Sequence, residues 1–87
     1  MMQMAALPGV SDKISQLALD LRGLKCPLPA MKVRKALAGL APGGRIVVQA
    51  TDPMSAIDVP HTVASCGGTL ISQTSDGDVL IFEIVKS

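Results

Sequence analysis

The sequence predicts an α+β two-layer sandwich, β-α-β-α-β-β in chain order, with two helices on one face of a mixed four-stranded sheet. Three observations carry this. Leu17, Leu19 and Leu21 alternate with Ala18 and Asp20, as in a strand with one buried face. A helical stretch then leads into Ile46-Val47-Val48, and a strand–helix–strand unit of this size favours a parallel pair with a right-handed crossover. Near the C-terminus, Asp76-Gly77 separates two further apolar runs, a strong hairpin signal. Eighty-seven residues make one small domain, enough for two layers and a modest core.

Residues 1–15 mix Met, Ala, Gly, Pro and Ser without a period and are expected to form a loose N-terminal tail; residues 16–87 form the domain. After the first strand, a helix is expected from residue 27 to about residue 40. Pro27 suits the first helical position, because its φ fits and its missing N–H would be unpaired there, and Pro29 is tolerated in the first turn. Val33, Ala36, Leu37 and Leu40 share one helical face, with Pro29 and Ala30 at its margins and Lys32 and Lys35 opposite. Leu28 and Met31 fall on the charged side. They read either as a local contact with a loop or as a docking surface, where Met's flexibility suits several partners.

Pro42-Gly43-Gly44 should break the chain before a short, largely buried second strand over residues 45–50. Asp52-Pro53 opens an irregular helical region. Asp58-Val59-Pro60 should interrupt it, since a residue before proline avoids the α region. Either Asp52 or Asp58 could be an N-cap. The second helix is expected over about residues 61–66, ending at Gly67-Gly68, where the first glycine can supply a left-handed cap. Strands over 69–74 and 79–85 then flank Ser75-Asp76-Gly77-Asp78. Leu80, Phe82 and Ile84 should face the helices, and Ile81, Glu83 and Val85 should face away.

The composition excludes several function classes. The chain is 48% apolar with one aromatic, Phe82, so its core is aliphatic. Without Trp or Tyr there is no stacking platform for single-stranded nucleic acid, and a net charge of +1 argues against a general nucleic-acid binder. No apolar run approaches the roughly 18 residues a membrane helix needs. No positive residue precedes Lys13, so a secretory n-region is lacking. Cys26 and Cys66 form neither a CxxC pair nor a metal-ligand spacing, and no glycine-rich phosphate loop is present, so no metal or cofactor is expected. These features read as a cytoplasmic protein with reduced thiols.

Cys26 is the sharpest candidate. It stands at the expected start of the first helix, where free backbone N–H groups and the positive end of the dipole favour thiolate. Arg22, Lys25, Lys32, Arg34 and Lys35 surround it in sequence, with no acid between residues 21 and 51. They read as a solvated helix face, or as a basic collar that acidifies the thiol and meets acidic partners. At pH 7 an ordinary thiol is only about 3% thiolate, so such an environment matters. His61, the single histidine, has no third group to orient it as a base. Cys66, at the end of the second helix, reads as structural, or as a redox partner if the fold brings it near Cys26. A lone nucleophile suits covalent carriage: it takes a group from one protein and presents it to another.

The stretch Leu19-Asp20-Leu21-Arg22-Gly23-Leu24-Lys25-Cys26-Pro27-Leu28-Pro29 resembles the signature of the TusA (SirA-like) sulfurtransferases, with Asp, Gly and a Cys-Pro-x-Pro motif in this order. The likeness continues through Met31-Lys32-Val33-Arg34-Lys35-Ala36-Leu37, Asp52-Pro53, Asp58-Val59-Pro60 and the terminal strand pair, over about residues 17–86. It implies a sandwich of the kind seen in the C-terminal domain of translation initiation factor 3. It also implies that Cys26 carries sulfur as a persulfide, received from a cysteine desulfurase or another sulfurtransferase and passed to a relay acceptor. The destinations it implies are tRNA thiolation, molybdenum cofactor, sulfur oxidation or a selenium-linked branch. Some members carry an acidic residue between the two prolines, where this chain has Leu28. On this reading Asp20 and Gly23 shape the approach to the helix, and Pro27 and Pro29 hold its first turn. Arg22, Lys25, Leu28, Met31, Lys32 and Lys35 meet the partner protein. No direct membrane or nucleic-acid binding is expected. The rival reading is a non-enzymatic adaptor or nucleic-acid-binding module that uses the basic helix and not the thiol.

Overall fold

The computed structural model describes residues 14–87. Six elements follow one another: β1 (Ile14–Leu21), α1 (Leu28–Ala38), β2 (Leu40–Ala50), α2 (Ser55–Ser65), β3 (Gly68–Asp76) and β4 (Val79–Lys86). The strands form one mixed sheet in the order β1-β2-β4-β3. β1 and β2 run parallel, and β4 is antiparallel to both β2 and β3. The expected element order and layered fold are present. The expected tail lies outside the described residues, except that β1 already begins at Ile14.

Inward residues line up across the sheet because the registers agree. Leu17 pairs with Ile46, Ile46 with Ile84, and Ile84 with Leu70; Leu19, Val48 and Phe82 form the next row. Val33 and Leu37 of α1 and Val59 and Val63 of α2 close over these rows and are fully or almost fully buried. Each such side chain contributes roughly 1.5–3 kcal/mol by leaving water. As expected, Phe82 and Ile84 are buried against the helices and Leu80 packs beside them. On the outer face Arg45 and Glu83 form an ion pair at 2.6 Å.

Three expectations about the elements are corrected. First, α1 starts at Leu28 and ends at Ala38; Pro27 takes the N-cap position and Pro29 lies in the first turn. Leu40 is therefore in β2 and not on the helix, although it is still buried. Second, Pro42-Gly43-Gly44 does not end an element but lies inside β2, as an irregularity in its pairing with β1. The segment folds tightly onto itself: a Cβ on Gly44 would lie 2.7 Å from Leu40 Cγ and 2.9 Å from the Ala41 carbonyl oxygen. Third, α2 is one continuous helix of 11 residues with Pro60 inside it. Proline cannot donate to the carbonyl four residues back. That carbonyl belongs to Ala56, and Gln73 Nε2 of β3 donates to it instead, at 3.4 Å. Neither Asp52 nor Asp58 is the N-cap, a position held by Met54.

Other junctions follow the sequence. Cys66 is the C-cap of α2, and Gly67 follows it with φ +77°. The β3–β4 turn consists of Gly77 and Asp78, with Gly77 at φ +61°. At the far end of α1, Lys86 Nζ donates to the Leu37 carbonyl at 2.5 Å and to the Leu40 carbonyl at 3.4 Å.

The topology fixes where chemistry can occur. β1, β2 and β3 share one direction, so both helices must return against it. The first turns of α1 and α2 therefore lie together, at the carboxyl ends of β1 and β2.

Candidate functional site

Cys26 sits in the loop between β1 and α1, exposed and unbonded to any other cysteine. Two backbone hydrogen bonds hold this loop to the segment that follows β2. Gly23, at φ +85°, donates its N–H to Thr51 Oγ1 at 2.8 Å. Cys26 N–H donates to Asp52 Oδ2 at 2.5 Å. The other Asp52 oxygen accepts the Met54 N–H at 3.1 Å, so one carboxylate ties the cysteine loop to the start of α2. These hydrogen bonds favour the ionised form and hold the Asp52 carboxyl below its ordinary range. Within the loop, the Leu28 N–H donates to the Lys25 carbonyl at 2.8 Å, and the Cys26–Pro27 peptide bond is cis.

The thiol faces acid. Cys26 Sγ donates to Asp58 Oδ2 at 2.8 Å, from the first turn of α2. This hydrogen bond is the main cause that raises the thiol above its ordinary value; burial and the charges of Asp58 and Asp52 add to it. The expectation of an acidified thiol is thus overturned in the free protein. The helix start also offers fewer N–H groups than expected. Pro27 and Pro29 have none, and the Leu28 and Met31 N–H groups already donate to the Lys25 and Pro27 carbonyls.

The basic collar is corrected as well. Arg22 is committed to Asp20, with Nε to Oδ1 at 2.7 Å and Nη2 to Oδ2 at 2.8 Å. The pair holds the Asp20 carboxyl at about 2, chiefly through the Arg22 hydrogen bonds. Lys25, Lys32, Arg34 and Lys35 are exposed, and none forms an ion pair among the described residues. Lys32, Arg34 and Lys35 stand on α1, and Lys25 stands in the loop next to Cys26, where its charge acts on Asp52. Leu28 and Met31 are 43% and 54% exposed beside the thiol, which removes the reading of a local loop contact. Pro29 is buried under the first turn of α1.

The structure adds residues that linear reading missed. Asp58 bonds the thiol, Asp52 bonds the backbone N–H of the same residue, and Thr51 anchors the loop. Met54 and Ile57, 48% and 66% exposed, extend the apolar rim from α1 onto the start of α2. The available signal was the predicted parallel pair, which places the residues after Leu21 and after Ala50 at one edge of the sheet.

Two other candidates lie elsewhere. His61 is exposed, and its side chain makes no hydrogen bond among the described residues. Cys66 is half-buried against the core at the opposite end of α2, eight residues beyond Asp58 and so about 12 Å further along the axis. That separation removes the redox-pair reading. Among the described residues no group of three or more His, Cys, Asp or Glu side chains is arranged to hold a metal ion.

Known proteins match this chain over most of its length. A TusA sulfur carrier protein of Pseudomonas entomophila is 35% identical over 77 residues, spanning 88% of this chain and 96% of that protein. One of Pseudomonas paraeruginosa is 37% identical over 68 residues, 78% of this chain and 86% of its own. The crystal structure of a SirA-like protein from Desulfitobacterium hafniense superposes with a TM-score of 0.70 at 27% identity, covering 79% of this chain and 95% of the other. The family model described as Sulfurtransferase TusA matches residues 17–86, nearly all of the described domain. The chain belongs to the TusA sulfurtransferase family.

Proposed function

We propose that this protein is a sulfur carrier that takes sulfur onto Cys26 as a persulfide and hands it to an acceptor protein. The observation that carries the reading is the placement of Cys26. It is a free, exposed thiol on a pinned loop at the meeting point of two helix starts, with the second cysteine at the other end of the molecule. Family membership supports sulfur transfer at the coarse level.

The step balances without an external oxidant. Cys26 sulfur attacks the outer sulfur of a donor persulfide, the donor's S–S bond breaks, and the donor leaves as a thiolate. That thiolate takes up the proton Cys26 loses. An acceptor thiolate later attacks the outer sulfur on Cys26 in the same way. The donor is a cysteine desulfurase or another sulfurtransferase and the acceptor a relay protein, in the cytoplasm. tRNA thiolation, molybdenum cofactor and sulfur oxidation are the destinations to test.

The partner surface is Leu28 and Met31 with the exposed cations Lys25, Lys32 and Lys35. Gly23 and Asp20 shape the loop, and Pro27 and Pro29 fix its run into α1. Incubation with a cysteine desulfurase and cysteine should add one sulfur atom, read by intact mass. Cys66→Ser should keep the gain and Cys26→Ser should lose it; the reverse pattern would refute the assignment.

A further inference from the structure

We propose that Asp58 is a positioning residue for sulfur transfer, whose carboxylate holds the Cys26 sulfur as an S–H in the free protein and so keeps it from reacting before a partner has docked. The proposal rests on the carrier reading and adds a restraint to it. Cys26 is as exposed as a carrier's sulfur must be, and would meet any soluble electrophile or oxidant. Its S–H points into the Asp58 carboxylate at 2.8 Å, and Asp52 fixes the same residue's backbone N–H at 2.5 Å. The cysteine is therefore held at two points by two acids from one segment.

The surroundings leave Asp58 as the controlling group. From the β2–α2 segment Asp52 adds a second negative charge. From its own loop Lys25 supplies a cation, and it acts on Asp52. At the end of β1, Arg22 is neutralised by Asp20. On α2, His61 lies one turn beyond Asp58 and does not bond to the sulfur. Among these groups only the Asp58 carboxylate touches Sγ. Once that hydrogen bond is broken, the sulfur loses the acceptor that holds its proton.

Asp58→Asn replaces the acceptor with an amide that can donate to a thiolate. For each unit by which the thiol acidifies, thiolate rises about tenfold and its intrinsic nucleophilicity falls about threefold, a net gain of about threefold. Alkylation by iodoacetamide, followed for Cys26 and Cys66 by peptide mass, should therefore be faster at Cys26 in Asp58→Asn at pH 7, by about threefold for each unit of acidification. Its pH midpoint should move down, and Asp58→Glu should stay near the wild-type rate. Acceleration confined to Cys26 bears out the restraint. An unchanged or slower rate, or an acceleration shared by Cys66, overturns it. Sulfur uptake from inorganic polysulfide is read separately. If neither protein takes up sulfur while Cys26 still accelerates, the carrier reading fails and the restraint stands.

Discussion

Lys86 is the most informative residue to remove far from the thiol. Its ammonium donates to the Leu37 and Leu40 carbonyls, just where α1 ends and has no glycine in the left-handed conformation to finish it. A cation at a helix C-terminus also meets the negative end of the dipole. Lys86→Met keeps most of the aliphatic stem and deletes the charge and both donors. A hydrogen bond from a charged group contributes about 1.5–3 kcal/mol net, and here the side chain is half-buried, so we take the lower end, about 2 kcal/mol. For a domain of this size each kcal/mol moves Tm by about 4–8 °C, so Tm should fall by roughly 10 °C. Thermal unfolding followed by circular dichroism reads this directly. Because the site lies at the other end of α1, Cys26 alkylation should not change. A Tm drop below about 2 °C, or an altered Cys26 rate, would refute the assignment of Lys86 as the cap of α1.

Three further outcomes are expected. Gln73→Ala should cost about 1 kcal/mol in urea unfolding, and less in a Pro60→Ala background, where a restored N–H can reach the Ala56 carbonyl; equal costs would show that Gln73 does not compensate the proline. Ser55 is buried and its hydroxyl has no partner among the described residues, so Ser55→Ala should be neutral or stabilise by up to about 1 kcal/mol, and a clear loss of stability would expose a missed contact. The Asp20 carboxyl, depressed to about 2 by Arg22, should titrate there by NMR and move back up in Arg22→Ala. A group depressed in the fold stabilises it above its ordinary value of 3.8, and that stabilisation is lost as pH falls from there toward 2.

Much of the architecture was legible because it rests on local rules. The four-residue spacing of Val33 and Leu37 marks the buried face of α1, and the turn glycine at 77 marks the hairpin. Pro60 misled because its remedy comes from another element: the amide that meets the Ala56 carbonyl lies on β3. The spacing of Leu40 from Leu37 fits the helical period, yet Gly44 lets the chain fold back and Leu40 opens β2 instead. Cys26 and its exposed neighbours Leu28 and Met31 could be named from the sequence, since proline and helix position are local. The acids could not. Asp52 reaches the Cys26 backbone and Asp58 its sulfur only because β1 and β2 are parallel neighbours, and a reading that counts charges along the chain sees cations alone. The result reverses the sign of the electrostatics around the thiol.

The order of the strands has a consequence for biosynthesis. β4, made after all the other strands of this sheet, lies between β2 and β3. Until it emerges, the nascent chain offers two uncovered strand margins and a half-built core without its aromatic residue. The nascent domain is thus most vulnerable to sticking to itself, or to needing a chaperone, in the interval before β4 emerges.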